Sequence, residues 1–143
     1  VTHETLVVDI GGGSSEFCVV GPRGHARAAG LRLGCNRLTS RHARSDPPTA
    51  DEVAAMTLAA EVAMVDAMGA TPREIVAVGG TASNLLKVAP GGVPDRILTH
   101  ERLSAALATL LARPAAETSE RYGVNLEETF LEHVNDYLLR FLT

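Results

Sequence analysis

The chain has 143 residues, 45 % hydrophobic and 21 % charged, with a formal net charge of −4. That length suits one domain with a sizeable core, and that hydrophobic share excludes a disordered chain. The acidic balance, 3 % aromatic content and absence of Trp argue against a nucleic-acid-binding face, which needs cations and stacking platforms. No apolar run is long enough to span a bilayer and no secretory signal pattern is present, so no membrane partner is expected. Cys18 and Cys35 make no disulfide framework and lack the paired spacing of a zinc site. They read as small hydrophobes in a cytoplasmic protein. The opening at Val1, without an initiator Met and almost directly into a strand, reads as a piece of something longer or as a trimmed chain.

Strand one is expected over Thr5 to Ile10 and strand two over Ser15 to Val20, joined by Gly11-Gly12-Gly13-Ser14. If Ile10 pairs with Ser15, Asp9 stands opposite Glu16, and like charges facing each other destabilise a sheet. A cation between them removes that penalty, and hard carboxylate oxygens suit Mg²⁺. The glycines leave room for a ligand to approach the backbone, and their N–H groups can form an anion-binding nest. The plainer reading is a glycine hairpin turn with two exposed acids. Against it stands Asp9, placed within an apolar strand where an unpaired carboxylate is expensive.

Gly21-Pro22-Arg23-Gly24 is a turn, followed by strand three over about His25 to Leu33, with Gly30 as a candidate bulge. Residues 34–46 contain a basic segment, Arg41-His42-Ala43-Arg44, which reads more simply as a solvated loop than as a polyanion contact. Thr49 and Glu52 form a capping-box pattern for a helix to about Met68, ended by Gly69. Its Val53, Met56, Ala60, Met64 and Ala67 make an inward stripe. Ile75 to Val78, apolar on both faces, predicts a central strand. Gly79-Gly80-Thr81 follows, then a short helix from Ala82 to Val88. A glycine turn between a strand and a helix N-terminus is a second phosphate-site geometry, or a tight turn and nothing more.

A Pro/Gly loop covers residues 89–95. Thr99 caps a helix to about Ala112, and Pro114 opens a turn or short helix to Tyr122. Asn125 and Glu128 then predict a last helix to about Phe141, with Leu126, Phe130, Val134, Tyr137, Leu138 and Phe141 as its apolar face.

Four strings in order carry a family resemblance. Asp9 to Phe17 (DIGGGSSEF) resembles the second-lobe phosphate signature of the exopolyphosphatase/guanosine pentaphosphate phosphohydrolase (Ppx/GppA) family. Leu31 to Thr39 (LRLGCNRLT), with Ser45 to Thr49 after it, resembles the family's next segment. Ala77 to Ala82 (AVGGTA) is similar to its second glycine turn, and Ile97 to Leu103 (ILTHERL) to the helix that follows.

The resemblance implies an α/β fold: one lobe of actin/hexokinase/Hsp70 (ribonuclease H-like) type. Its three-stranded antiparallel meander is extended by a parallel strand and flanked by helices. Residues 1–124 would form the phosphate-binding lobe and 125–143 a C-terminal amphipathic helix where the family has its last strand. It also implies Mg²⁺-dependent release of terminal phosphate from polyphosphate or guanosine pentaphosphate, in a cleft completed by a first lobe encoded upstream.

The resemblance further assigns Asp9 and Glu16 to metal and attacking water, and Gly11, Gly12, Gly13, Ser14 and Ser15 to the terminal phosphate. Gly79, Gly80 and Thr81 would hold the next phosphate or a nucleotide, with Arg37 as a candidate anion contact or, equally, a surface or structural arginine. A homodimer is expected. The alternative reading is a lobe that binds polyphosphate, a nucleotide or a protein partner without catalysis.

Overall fold

A computed structural model describes residues 3–24, 26–65 and 74–124. The meander forms as the pattern predicts. β1 (Thr5–Ile10) pairs antiparallel with β2 (Ser15–Val20), and β2 with β3 (Ala26–Leu31). Gly30 sits in regular register opposite Glu16, so the expected bulge is absent; a glycine on an edge strand is accommodated without one. β4 (Glu74–Val78) pairs parallel with β1, giving the order β3-β2-β1-β4. Among the described residues β4 is therefore an outer strand, not the central one expected.

Alternation along β1 and β2 sorts the sheet into two faces. Leu6, Val8, Ile10 and Phe17 point inward and are buried. They pack with Leu33, from the segment after β3, and with Leu38, Met56, Ala60, Met64, Leu85, Val88, Leu103 and Leu110 from the helices, forming the core. Asp9, Glu16, Val76 and Val78 lie on the opposite face, which is open among the described residues; Val76 and Val78 are 41 % and 40 % exposed.

The helices are α1 (Cys35–His42), α2 (Ala50–Val65), α3 (Gly79–Val88), α4 (Gly92–Asp95), α5 (His100–Leu111) and α6 (Ala115–Tyr122). α1 was not expected: its sequence reads as a basic loop, yet Cys35, Leu38 and Thr39 are buried on one side. α3 begins at Gly79, three residues before the sequence signal. The caps match their patterns: the Thr99 hydroxyl of α5 accepts from the Arg102 N–H at 3.2 Å. The capping box of α2 closes both ways, with the Thr49 N–H donating to Glu52 Oε2 at 2.9 Å and the Glu52 N–H donating to Thr49 Oγ1 at 3.3 Å. The expected helix over 125–143, the end of α2 at Met68 and its Gly69 stop lie outside the described residues.

The Thr49 and Arg44 backbone N–H groups both donate to the Glu52 carboxylate and hold its pKa below the usual 4.5. A carboxylate with a depressed pKa stabilises the fold above its unfolded value and loses that contribution as pH falls through the folded one. Glu52→Gln is therefore expected to lower the urea midpoint at pH 7. The gap to the parent should close as the pH is taken below about 4.5, measured as paired unfolding curves.

Candidate phosphate and metal site

The site starts at the end of β1. Register places Asp9 directly opposite Glu16 and Ile10 opposite Ser15, so the two carboxylates lie side by side on the open face. Both are exposed. Glu16 Oε1 accepts the Ser14 hydroxyl at 2.6 Å, which fixes one of its oxygens. Neither carboxylate pairs with a cation of the protein among the described residues. The repulsion between them is thus left for something else to neutralise. A groove of about 280 Å³ runs from these acids over Val7, Cys18, Ala28 and Gly30.

The turn between the strands is fastened from below by α1. The Cys35 N–H donates to Gly11 O at 3.1 Å, and the N–H groups of Asn36 and Arg37 donate to Gly12 O at 2.8 and 3.3 Å. The Cys35 thiol also reaches Gly11 O, at 3.0 Å. These bonds satisfy helix N–H groups that α1 otherwise leaves open, because its N-cap, Gly34, offers no side chain. Close approach is essential here: a Cβ on Gly34 would lie 2.5 Å from Gly12 O. The Gly11 N–H closes the turn onto Ser14 O at 2.9 Å, while those of Gly12, Gly13 and Ser14 have no acceptor among the described residues.

A second fastening ties β1 to the turn after β4. Asp9 lies level with Val78, and its Oδ1 occupies the space a Cβ on Gly79 would need, at 2.5 Å. Gly79 has φ +88°, a left-handed conformation that also favours glycine. The Thr81 hydroxyl is buried and donates to Ile10 O at 2.8 Å.

The residues singled out from sequence divide accordingly. Asp9, Glu16, Gly11, Gly12, Gly13 and Ser14 come together at one turn, with Gly79 and Gly80 beside Asp9. The side chains of two expected phosphate contacts are committed elsewhere. Ser15 is fully buried on the inward face, its hydroxyl donating to Leu33 O at 2.5 Å, and Thr81 is spent on Ile10. Arg37 lies in the first turn of α1, against the glycine turn, and its Nε is buried without a hydrogen-bond partner among the described residues. Sequence reasoning missed Gly34 and Asn36. The Asn36 side chain sits where a Cβ on Gly12 would go, with Nδ2 2.9 Å from that position. No local pattern signals either role, because both depend on the turn 22 residues away from Gly34.

Two carboxylates also fit the habits of Mg²⁺, which keeps several waters and takes one or two carboxylates plus phosphate oxygens. Among the described residues no third His, Cys, Asp or Glu joins them, so a full protein cage is not built. No helix among the described residues is long and apolar enough to cross a membrane.

The model for the Ppx/GppA phosphatase family matches residues 1–128. Exopolyphosphatase 2 of Mycobacterium tuberculosis is 35 % identical over 88 residues, covering 59 % of this chain and 27 % of that protein. The crystal structure of the type II variant of the Aquifex aeolicus Ppx/GppA phosphatase superposes over 99 % of this chain with TM-score 0.86 and 25 % identity. An exopolyphosphatase from Cytophaga hutchinsonii shares the fold at TM-score 0.79 and 21 % identity, over 96 % of this chain. The chain spans about half the length of these structures, 50 % and 48 %.

Gly34→Ala is expected to lower stability by about 1–3 kcal/mol, because the intruding Cβ meets backbone that cannot swing away. Gly13→Ala, which meets nothing within 4 Å, should stay within about 0.5 kcal/mol of the parent. Urea unfolding of both variants checks the contrast.

Proposed function

The chain belongs to the Ppx/GppA phosphatase family, and we propose that its glycine turn and facing carboxylates form one wall of a phosphoanhydride-hydrolysing cleft. The observation that carries this reading is the junction of three features at one point. Among the described residues, these are an Asp9–Glu16 pair with no neutralising cation, a turn whose Gly12 to Ser14 N–H groups lack acceptors, and Arg37, whose buried Nε has no partner.

In the proposed reaction a water attacks the terminal phosphorus and the P–O bond to the remaining chain breaks. Orthophosphate is released with a chain shorter by one unit. Transfer of this kind needs positioning and charge neutralisation more than covalent chemistry. The N–H groups of Gly12, Gly13 and Ser14 supply a concave set of donors for the terminal phosphate oxygens. The Arg37 guanidinium adds positive charge from the α1 side. Asp9 is held in place by β1 and by its packing on Gly79. Glu16 is steadied by the Ser14 hydroxyl, which leaves its other oxygen to orient the water. Asp9 and Glu16 would hold Mg²⁺, which when bound offsets their repulsion and the charge that develops on the phosphate.

Ser15 and Thr81 serve this site by shape: their hydroxyls secure the backbone on each side of the turn. Gly79 and Gly80, exposed at the start of α3, are placed to meet the next phosphate or a nucleotide through the backbone. Since the carboxylate face is open, completion of the cleft by a first lobe is part of the proposal. A lobe that binds phosphate without turning it over is the second reading, favoured by that same open face.

Calorimetric titration with tripolyphosphate, with and without Mg²⁺, alongside an assay for released phosphate, tests the reading. Mg²⁺-dependent binding is expected, and no binding in either condition overturns it. Glu16→Gln should weaken the Mg²⁺-dependent binding about tenfold or more, about the loss of one charge-assisted contact, with little change in stability. Asp9→Asn should weaken it likewise while leaving the ligand-free protein as stable or more so, because a repelling charge is gone. Unchanged binding in both variants would remove the carboxylates from the site.

A further inference from the structure

The glycine turn touches one polar side chain that the proposed reaction leaves unused. Asn36 is the second residue of α1, and its backbone N–H donates to Gly12 O at 2.8 Å. Its carboxamide lies against the same glycine. A Cβ on Gly12 would meet Nδ2, Cγ and Oδ1 at 2.9, 3.0 and 3.1 Å. Three distances so nearly equal place the flat of the amide over Gly12 and keep both of its edges out of that contact. The residue is exposed, and neither edge has a hydrogen-bond partner among the described residues.

Packing alone does not call for an amide here. Leu would cover the same glycine and has the better helix propensity. What the carboxamide adds is two N–H donors and a carbonyl acceptor, all uncharged. The residue it covers, Gly12, is the first of the three whose N–H groups have no acceptor among the described residues. A group so placed stands beside any anion those N–H groups hold. An uncharged donor can grip an oxyanion there without pairing with Asp9 or Glu16, which would otherwise be drawn away from Mg²⁺.

We propose that Asn36 is a specificity-determining contact of the glycine turn. Its amide N–H donates to an oxygen of the phosphate held there, and its carbonyl accepts from that phosphate when the phosphate carries a proton. One side chain thus serves both ionisation states of a phosphate end. The inference deepens the proposed use of the turn and rests on that reading.

The test uses Asn36→Leu and Asn36→Asp, both close to Asn in size. Leu keeps the cover over Gly12 and removes both polar edges. Asp keeps the shape and exchanges the donor edge for a charged acceptor. Each variant is titrated calorimetrically with tripolyphosphate and Mg²⁺ beside the parent, from about pH 5.5 to about 8, a window in which a phosphate end takes up a proton (pKa about 6). Urea unfolding of each variant accompanies the titrations.

Asn36→Leu should bind about fivefold to tenfold more weakly than the parent at every pH, with an unfolding midpoint at or above the parent's. Asn36→Asp should lose about tenfold or more at the upper end, and the loss should shrink as the pH falls. An ionised carboxylate accepts from a protonated phosphate but only repels an unprotonated one. Binding by Asn36→Leu equal to the parent's would overturn the contact and leave Asn36 as cover for the turn. A loss in Asn36→Asp that does not vary with pH would overturn it too, since a residue acting only through the fold has no reason to follow the ligand's protonation. If Asn36→Leu does not fold, that pH trend decides alone. Failure of the parent to bind tripolyphosphate would instead overturn the glycine-turn reading, and this contact with it.

Discussion

The site depends on the docking of α1 under the glycine turn. An isolated eight-residue helix is below the roughly 12–15 residues at which helices become marginal in water. α1 persists because Leu38 enters the core and because Gly11 and Gly12 carbonyls satisfy its open N–H groups. The bargain is mutual. With those carbonyls turned toward the helix, the N–H groups that follow them in the turn are left without an acceptor among the described residues. A short helix without a cap and a turn without strong conformational preferences thus define each other.

The paired carboxylates are the reverse case, an arrangement the fold alone would not select. Asp9 and Glu16 repel across β1 and β2, and no arginine or lysine among the described residues relieves them. Sheets place opposite charges across strands when stability is the aim. Here the protein's own cations stand on the α1 side of the turn, where they can face anionic oxygens without neutralising the acids. A metal between the carboxylates and a phosphate above the turn would satisfy all three groups together.

Much of this was legible in the chain. Alternation fixed β1 and β2, and with them the Asp9–Glu16 register, because a one-residue slip would have turned Leu6, Val8 and Ile10 to solvent. Thr49 with Glu52 and Thr99 announced two helices through local capping chemistry. What escaped was held by contacts distant in sequence. α1 is capped by residues of another element, so its start carries no Ser, Thr, Asp or Asn signal. α3 starts at Gly79 without a capping side chain; Asp9 of β1 packs against Gly79, and the Thr81 hydroxyl reaches back to Ile10 O. Ser15 and Thr81 enter as ligand contacts through the family resemblance, which carries whole motifs and not the direction of each side chain. Their burial follows from strand parity and from the short reach between α3 and β1, which composition does not show. β4 read as central from its apolar faces; Val76 and Val78 instead lie on the open face.

The neighbouring carbonyls of Ile10 and Gly11 have a mechanical consequence. One is gripped by the Thr81 hydroxyl of α3, the other by the Cys35 N–H and thiol of α1. Two consecutive peptide units therefore serve as a shared strut between two helices whose contacting residues, Cys35 and Thr81, are more than forty positions apart in sequence. Neither helix can tilt without dragging the end of β1, and Asp9 with it. Flexure is suppressed where the carboxylates stand, and any clamping onto a ligand must pivot elsewhere. Such stiffness keeps donors and acids in fixed relation while the rest of a cleft moves, the condition under which a phosphate can be gripped without being re-aimed.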